Sequence, residues 1–180
     1  EWLNEFERFR VARRMSDPLP TGTFDLSHLQ AIHHHLFQDV YDWAGEVRTI
    51  DISKGTDTFL HHGRIEDGFA DIQRRIESQD FLQGLDSDGF AERASVIIGD
   101  VNYAHPFREG NGRTQMQYLK LLGKQAGHTI DLSGMDRETW YAASVASHNA
   151  DYGPMSEAIG SMIEREPEQQ QRPPDIEPEP

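Results

Sequence analysis

His105-Pro106-Phe107-Arg108-Glu109-Gly110-Asn111-Gly112-Arg113 reads as a tight glycine-rich loop running straight into a helix. Gly110 and Gly112 permit positive φ and a close backbone approach that a Cβ resists, and Asn111 between them tolerates left-handed geometry. Good helix formers follow from Thr114 to Leu122, so the loop delivers free amide N–H groups at a helix N-terminus. Such a terminus attracts anions, phosphate above all. Around it stand His105 as a base, Glu109 as a magnesium ligand and Arg113 as a phosphate-binding cation. Each is ordinary alone: Gly-Asn-Gly is a turn, His before Pro is loop punctuation, and an Arg at a helix start is solvated. Together they describe a polyphosphate site with a base beside it.

Working outward, Phe90, Ala94, Ile97, Ile98 and Val101 give the helix before the loop a wide apolar face. It stops at Ala104, placing His105 at its C-terminal edge, because residues before proline resist the α conformation. The helix after the loop runs to Gly127. Earlier in the chain, Trp2, Phe6 and Phe9 among arginines mark an amphipathic helix over 2–14. Asp25 N-caps another with the stripe Leu26, Leu29, His33, Leu36, Phe37, Val40. Consecutive helical residues point about 100° apart, so His33-His34-His35 cannot converge on one metal ion, and His33 reads as a core-edge residue. Ile65, Phe69, Ile72 and Ile76 mark a helix over 64–79. Asp136 caps one through Trp140 and Ala143, and Pro154 opens a last one carrying Met155, Ile159 and Met162.

One segment breaks the helical pattern. Val47-Arg48-Thr49-Ile50-Asp51-Ile52 alternates, Ser53 to Asp57 is turn chemistry, and Thr58-Phe59-Leu60 returns, predicting a β-hairpin. An isolated hairpin leaves its edges unpaired, so Ile50, Ile52 and Lys54 are candidates for docking an extended segment of a target protein. The expected fold class is all-α, a helical bundle with one β-hairpin. Residues 1–165 form the domain, and 166–180, rich in Glu, Gln and Pro, form a disordered tail or linker.

The 180 residues suit one domain and hold no cysteine, which excludes disulfides and thiolate metal sites and suits a reducing cytoplasm. No apolar run is long enough to span a membrane. The first residues lack the basic start and apolar middle of a signal peptide, and the missing initiator Met fits a piece of a longer protein. The net charge of −14 argues against direct nucleic-acid binding, which needs a basic footprint. Phosphate binding is then a local exception in an acidic field.

The string from His105 to Arg113 resembles the signature of the Fic (filamentation induced by cAMP) family, His-Pro-Phe-x-(Asp/Glu)-Gly-Asn-Gly-Arg-x-x-Arg. The run Leu36 to Gly45 and the hairpin are similar to the family's bacterial members and their flap. The resemblance covers roughly residues 2–165 and places the β-hairpin as a flap beside the loop. It implies a protein adenylyltransferase that moves AMP from ATP to a Tyr, Thr or Ser hydroxyl of a target protein. His105 would be the base and Glu109 the Mg²⁺ ligand. Gly110, Asn111, Gly112 and Arg113 would hold the phosphates, and the flap would hold the target. Residue chemistry alone assigns these roles too, with the Asn111 side chain as an added donor. The family's last Arg, which steadies the γ-phosphate, falls on Met116, which reads as core packing. That departure keeps two alternatives open: another donor, or a weakly active or inactive domain that binds nucleotide or a partner. No Glu is followed by Gly or Asn with Ser or Thr four residues before it, so the family's built-in inhibitory motif is missing. The resemblance therefore points to toxin or effector members that meet a separate antitoxin chain bearing an inhibitory Glu, in the cytoplasm or after translocation into a target cell.

Overall fold

Helix α4 (Ser87–Ala104) touches α3 (Ile65–Ser78), α5 (Asn111–Ala126), α6 (Arg137–His148) and α7 (Gly153–Met162), and its expected apolar face is fully buried. The computed structural model describes residues 2–164. The proposed tail at 166–180 lies outside the described residues. Helix α2 (Leu26–Phe37) packs on α5, and α1 (Trp2–Met15) packs on α2. Two helices start where the sequence placed their caps, at Asp25 and Asp136, and Asp86 caps α4 in the same way. Asp25, Asp86 and Asp136 each accept a first-turn amide, and Gly127, with φ of 91°, closes α5 in the left-handed geometry that glycine permits. The all-α bundle with a small hairpin is what forms.

The hairpin is smaller than the sequence suggested. Its strands are β1 (Ser53–Lys54) and β2 (Asp57–Thr58), paired Ser53 to Thr58 and Lys54 to Asp57 across Gly55-Thr56. The alternating run 47–52 forms no strand. Its backbone is committed elsewhere: the Arg48 amide donates to Pro106 O at 2.8 Å, and the Arg48 side chain takes the carbonyl of Ile50. On the return leg, Leu60 N donates to Tyr103 O at 3.0 Å. Beyond the bond of Phe59 N to Ile52 O at 3.3 Å, contacts with the end of α4 and the loop after it take the place of the expected ladder and hold the flap beside His105. Sequence reading also missed a left-handed turn at Asp80, Phe81 and Leu82, with φ of 49°, 53° and 61°. It buries Leu82 completely, and burial outweighs local preference there.

Candidate active site

The loop is held from within. Gly110 has φ of 81°, and a Cβ there would lie 2.4 Å from the Phe37 ring, so the site needs glycine for both reasons. The Asn111 side chain turns inward, accepting from Phe107 N at 3.0 Å and donating to Phe107 O at 2.7 Å. It closes the loop, so the anion-facing donors are backbone amides. The α5 ladder begins with Thr114 N to Gly110 O, leaving the Asn111, Gly112 and Arg113 amides at the helix mouth. Phe107 is fully buried, as the sequence suggested, and stacks on His33 with centroids 3.9 Å apart. His33 Nδ1 accepts from Gly45 N at 2.8 Å, so its proton sits on Nε2 and is donated to Glu109 O at 3.0 Å. His33 is therefore a strut between α2 and the loop.

His105 follows α4 with φ of 42° and ψ of 62°. A non-glycine residue there, before proline, costs about 1–3 kcal/mol and persists only when its surroundings over-determine it. Its Nδ1 lies 3.0 Å from Asn102 O. A carbonyl only accepts, so Nδ1 carries the proton and Nε2 keeps its lone pair. Phe59 of the flap stacks on the imidazole at 3.8 Å and 15°. Burial first, then the cations Arg48 and Lys54 and the neighbouring His148, pushes the imidazole pKa down to about 4. The ring is a neutral acceptor at pH 7.

The cation of the loop is already partnered. Arg113 Nη2 lies 2.5 Å from Glu7 Oε1 on α1, and its guanidinium covers the Phe37 ring at 4.7 Å. Tyr41 donates to the other Glu7 oxygen at 2.8 Å. Burial opposes the Glu7 charge, but Tyr41 and Arg113 outweigh it and hold the carboxyl below its usual range. Glu109 is exposed, with Oε1 accepting from Gly110 N at 3.1 Å. Met116 is half-buried against the core, as its place on the stripe suggested.

The flap residues divide. Ile50 is 58 % exposed, Ile52 is half-buried, and Lys54 reaches α6 with Nζ 4.2 Å above the Tyr141 ring. At the flap base, Asp51, His61 and His62 bring ligand-type atoms within 4.8 Å of one another. Their bonding is already complete: Gly63 N donates to His61 Nδ1, which directs the His61 proton toward Asp51, and His62 donates both its amide and Nδ1 to that carboxylate. Arg48, 3.8 Å from Asp51, adds a positive charge that repels a metal ion. Arg48, Phe59, His33 and Glu7 were not singled out as site residues in the sequence. Arg48 shares its run with Thr49 and Asp51, so the sequence held no local sign that it alone turns inward.

This geometry coincides with a family match. Residues 23–122, which include the loop, α2, α3 and the flap, fit the model of the Fic/DOC family. The chain belongs to the Fic/DOC family. It is 37% identical over 162 residues to the Sinorhizobium fredii protein named "Probable protein adenylyltransferase y4lH", covering 89% of this chain and 84% of that one. It is 40% identical over 145 residues to protein adenylyltransferase VbhT of Bartonella schoenbuchensis, covering 81% of this chain but 30% of that longer protein. Among solved structures, the ADP-bound N-terminal Fic domain of a VirB-translocated Bep effector from Bartonella quintana superposes with a TM-score of 0.80 and 28% identity. That match covers 90% of this chain and 85% of that one. No helix among the described residues is long and apolar enough to cross a membrane.

Proposed function

We propose that this Fic chain is a protein adenylyltransferase that moves AMP from ATP to a Tyr, Thr or Ser hydroxyl of a target protein. The observation that carries the reading is the His105 imidazole, neutral with Nε2 unprotonated, beside open backbone amides at the start of α5. Nε2 takes the proton as the hydroxyl oxygen attacks the α-phosphorus. The new O–P bond forms as the bond to pyrophosphate breaks. The Asn111, Gly112 and Arg113 amides and the Arg113 side chain hold the phosphate oxygens, Arg113 exchanging Glu7 for phosphate. Glu109 is an exposed oxygen donor beside these amides, which fits Mg²⁺ held by a single carboxylate and substrate phosphates. When bound, the ion would neutralise phosphate charge. The exposed edge near Ile50 receives the target segment. The ADP bound by the Bartonella quintana Fic domain supports a nucleotide as substrate. A separate antitoxin chain would regulate it, in the cytoplasm or in a target cell.

Met116 favours a second reading, a different donor or a weakly active binding domain, because a thioether cannot steady a terminal phosphate. Incubating the chain in lysate with α-labelled ATP, beside other labelled nucleotides, separates these. Transfer from ATP that is lost by roughly 10²-fold or more in His105→Ala, with nucleotide affinity unchanged, is the expected result. Equal transfer by His105→Ala, or transfer only from another nucleotide, overturns the first reading.

A further inference from the structure

Arg48 is the largest fully buried side chain of the described residues, yet it is charged and lies in the flap segment, not in the core of the bundle. Its donors go to two places. Around the base it bonds three consecutive carbonyls: Nη2 to Ala104 O at 3.2 Å, Nε to His105 O at 2.8 Å, and its own amide to Pro106 O at 2.8 Å. On the flap it bonds one carbonyl of each leg, Nη1 to Ile50 O at 2.7 Å and Nη2 to Leu60 O. Asp51, 3.8 Å from Nη1, balances part of the charge.

We propose that Arg48 is the positioning residue for His105: it fixes the left-handed backbone of the base and ties that backbone to both legs of the flap. Three features on the page meet in it. The α4 carbonyls freed at a helix C-terminus need donors, and the partial negative charge there favours a cation. The strained conformation of His105 needs outside support, and Arg48 supplies bonds before, at and after the strained residue. The flap forms no strand over 47–52; Phe59 N to Ile52 O at 3.3 Å joins its legs near the hairpin, and closer to the base the guanidinium joins them through Ile50 O and Leu60 O. The planar five-donor fork is what this requires. A lysine ammonium has three donors on one atom and cannot reach carbonyls on both sides. Displacement of the flap therefore shifts the base, so the residue that holds the target edge also aims the acceptor. This inference rests on His105 being the base of the proposed transfer.

The test uses the full chain and reads the imidazoles by NMR, which needs neither ATP nor a target. Failure of the proposed activity therefore leaves the structural readout standing. The groups facing His105 are Arg48, Lys54 and His148. In Arg48→Lys the charge is kept and the fork lost. His105 should lose its Nδ1–H tautomer preference and titrate more than one unit nearer the ordinary histidine value, while His33, equally part of the loop frame, stays unchanged. Where transfer is measured, kcat should fall roughly 10²-fold, the scale of a misplaced reacting group, with nucleotide affinity within twofold. Unchanged His105 behaviour in folded Arg48→Lys overturns the proposal. Equal shifts of His33 and His105 overturn it too, by showing general loosening. In the unaltered chain the Arg48 Nε–H should exchange with solvent far more slowly than that of exposed Arg93. Equal exchange of the two overturns it without any variant.

Discussion

Arg113 illustrates how a residue legible in the sequence acquires a partner that is not. Its place after Gly-Asn-Gly made it a phosphate cation, but Glu7, from the other end of the chain, already occupies it. Glu7 and phosphate are both anions and compete for the same guanidinium. Glu7→Gln should therefore tighten nucleotide binding. A charged hydrogen bond contributes about 1.5–3 kcal/mol, and partial exposure of this pair scales the gain down to a few-fold. Calorimetric titration with ADP or ATP checks it. Weaker binding in the variant would show instead that Glu7 aims Arg113 at phosphate. The contiguous candidate residues could be picked out because the loop carries them in one string. Arg48 and His33 could not, because their partners lie 57 and 76 residues away in sequence. Nothing in local pattern reports such pairs.

At the scale of elements, the helices followed their periodicity and caps, since apolar stripes and first-turn acceptors are local properties. The flap did not, because alternation records which residues face inward, not what their backbones bond. Val47 to Ile52 face both ways, yet apart from the bond of Phe59 N to Ile52 O at 3.3 Å, the backbone hydrogen bonds of this run go to the segment at the end of α4 and to the Arg48 side chain. This sharpens the docking expectation to the outward residue Ile50, which is 58 % exposed. Ile50→Asp should leave stability within about 0.5 kcal/mol, as surface changes do. It should raise KM for the target protein several-fold and leave KM for ATP unchanged. Steady-state kinetics with each substrate varied in turn separates the two. A parallel rise in both would place Ile50 at the nucleotide rather than at the target.

For the whole molecule, the loop is braced between two neutral histidines, His33 fully buried and His105 half-buried, and this makes the fold sensitive to acid before its carboxylates titrate. His33 braces it from α2 and His105 from the end of α4, and burial pushes each pKa from 6.5 down to about 4. In the unfolded chain both take up protons near pH 6.5, whereas in the folded chain neither does until about pH 4. Between those values the unfolded state binds more protons, so stability falls as pH falls. The carboxylates with lowered pKa, Glu7, Asp39 and Asp51 among them, contribute their losses below their ordinary range, so the window from pH 6.5 to 5 belongs to the histidines. At about 1.36 kcal/mol per unit, each histidine should cost on the order of 2 kcal/mol by pH 5. Together that lowers Tm by something on the order of 10 °C for a domain this size. Thermal unfolding at pH 7.5, 6.5, 5.5 and 5 checks the slope. His33→Gln keeps an acceptor and a donor but cannot titrate. It should start from a lower Tm and lose only about half as much on acidification. A Tm that stays flat to pH 5 in the parent would mean that the folded state accepts these protons, and that His105 is not held neutral by its surroundings.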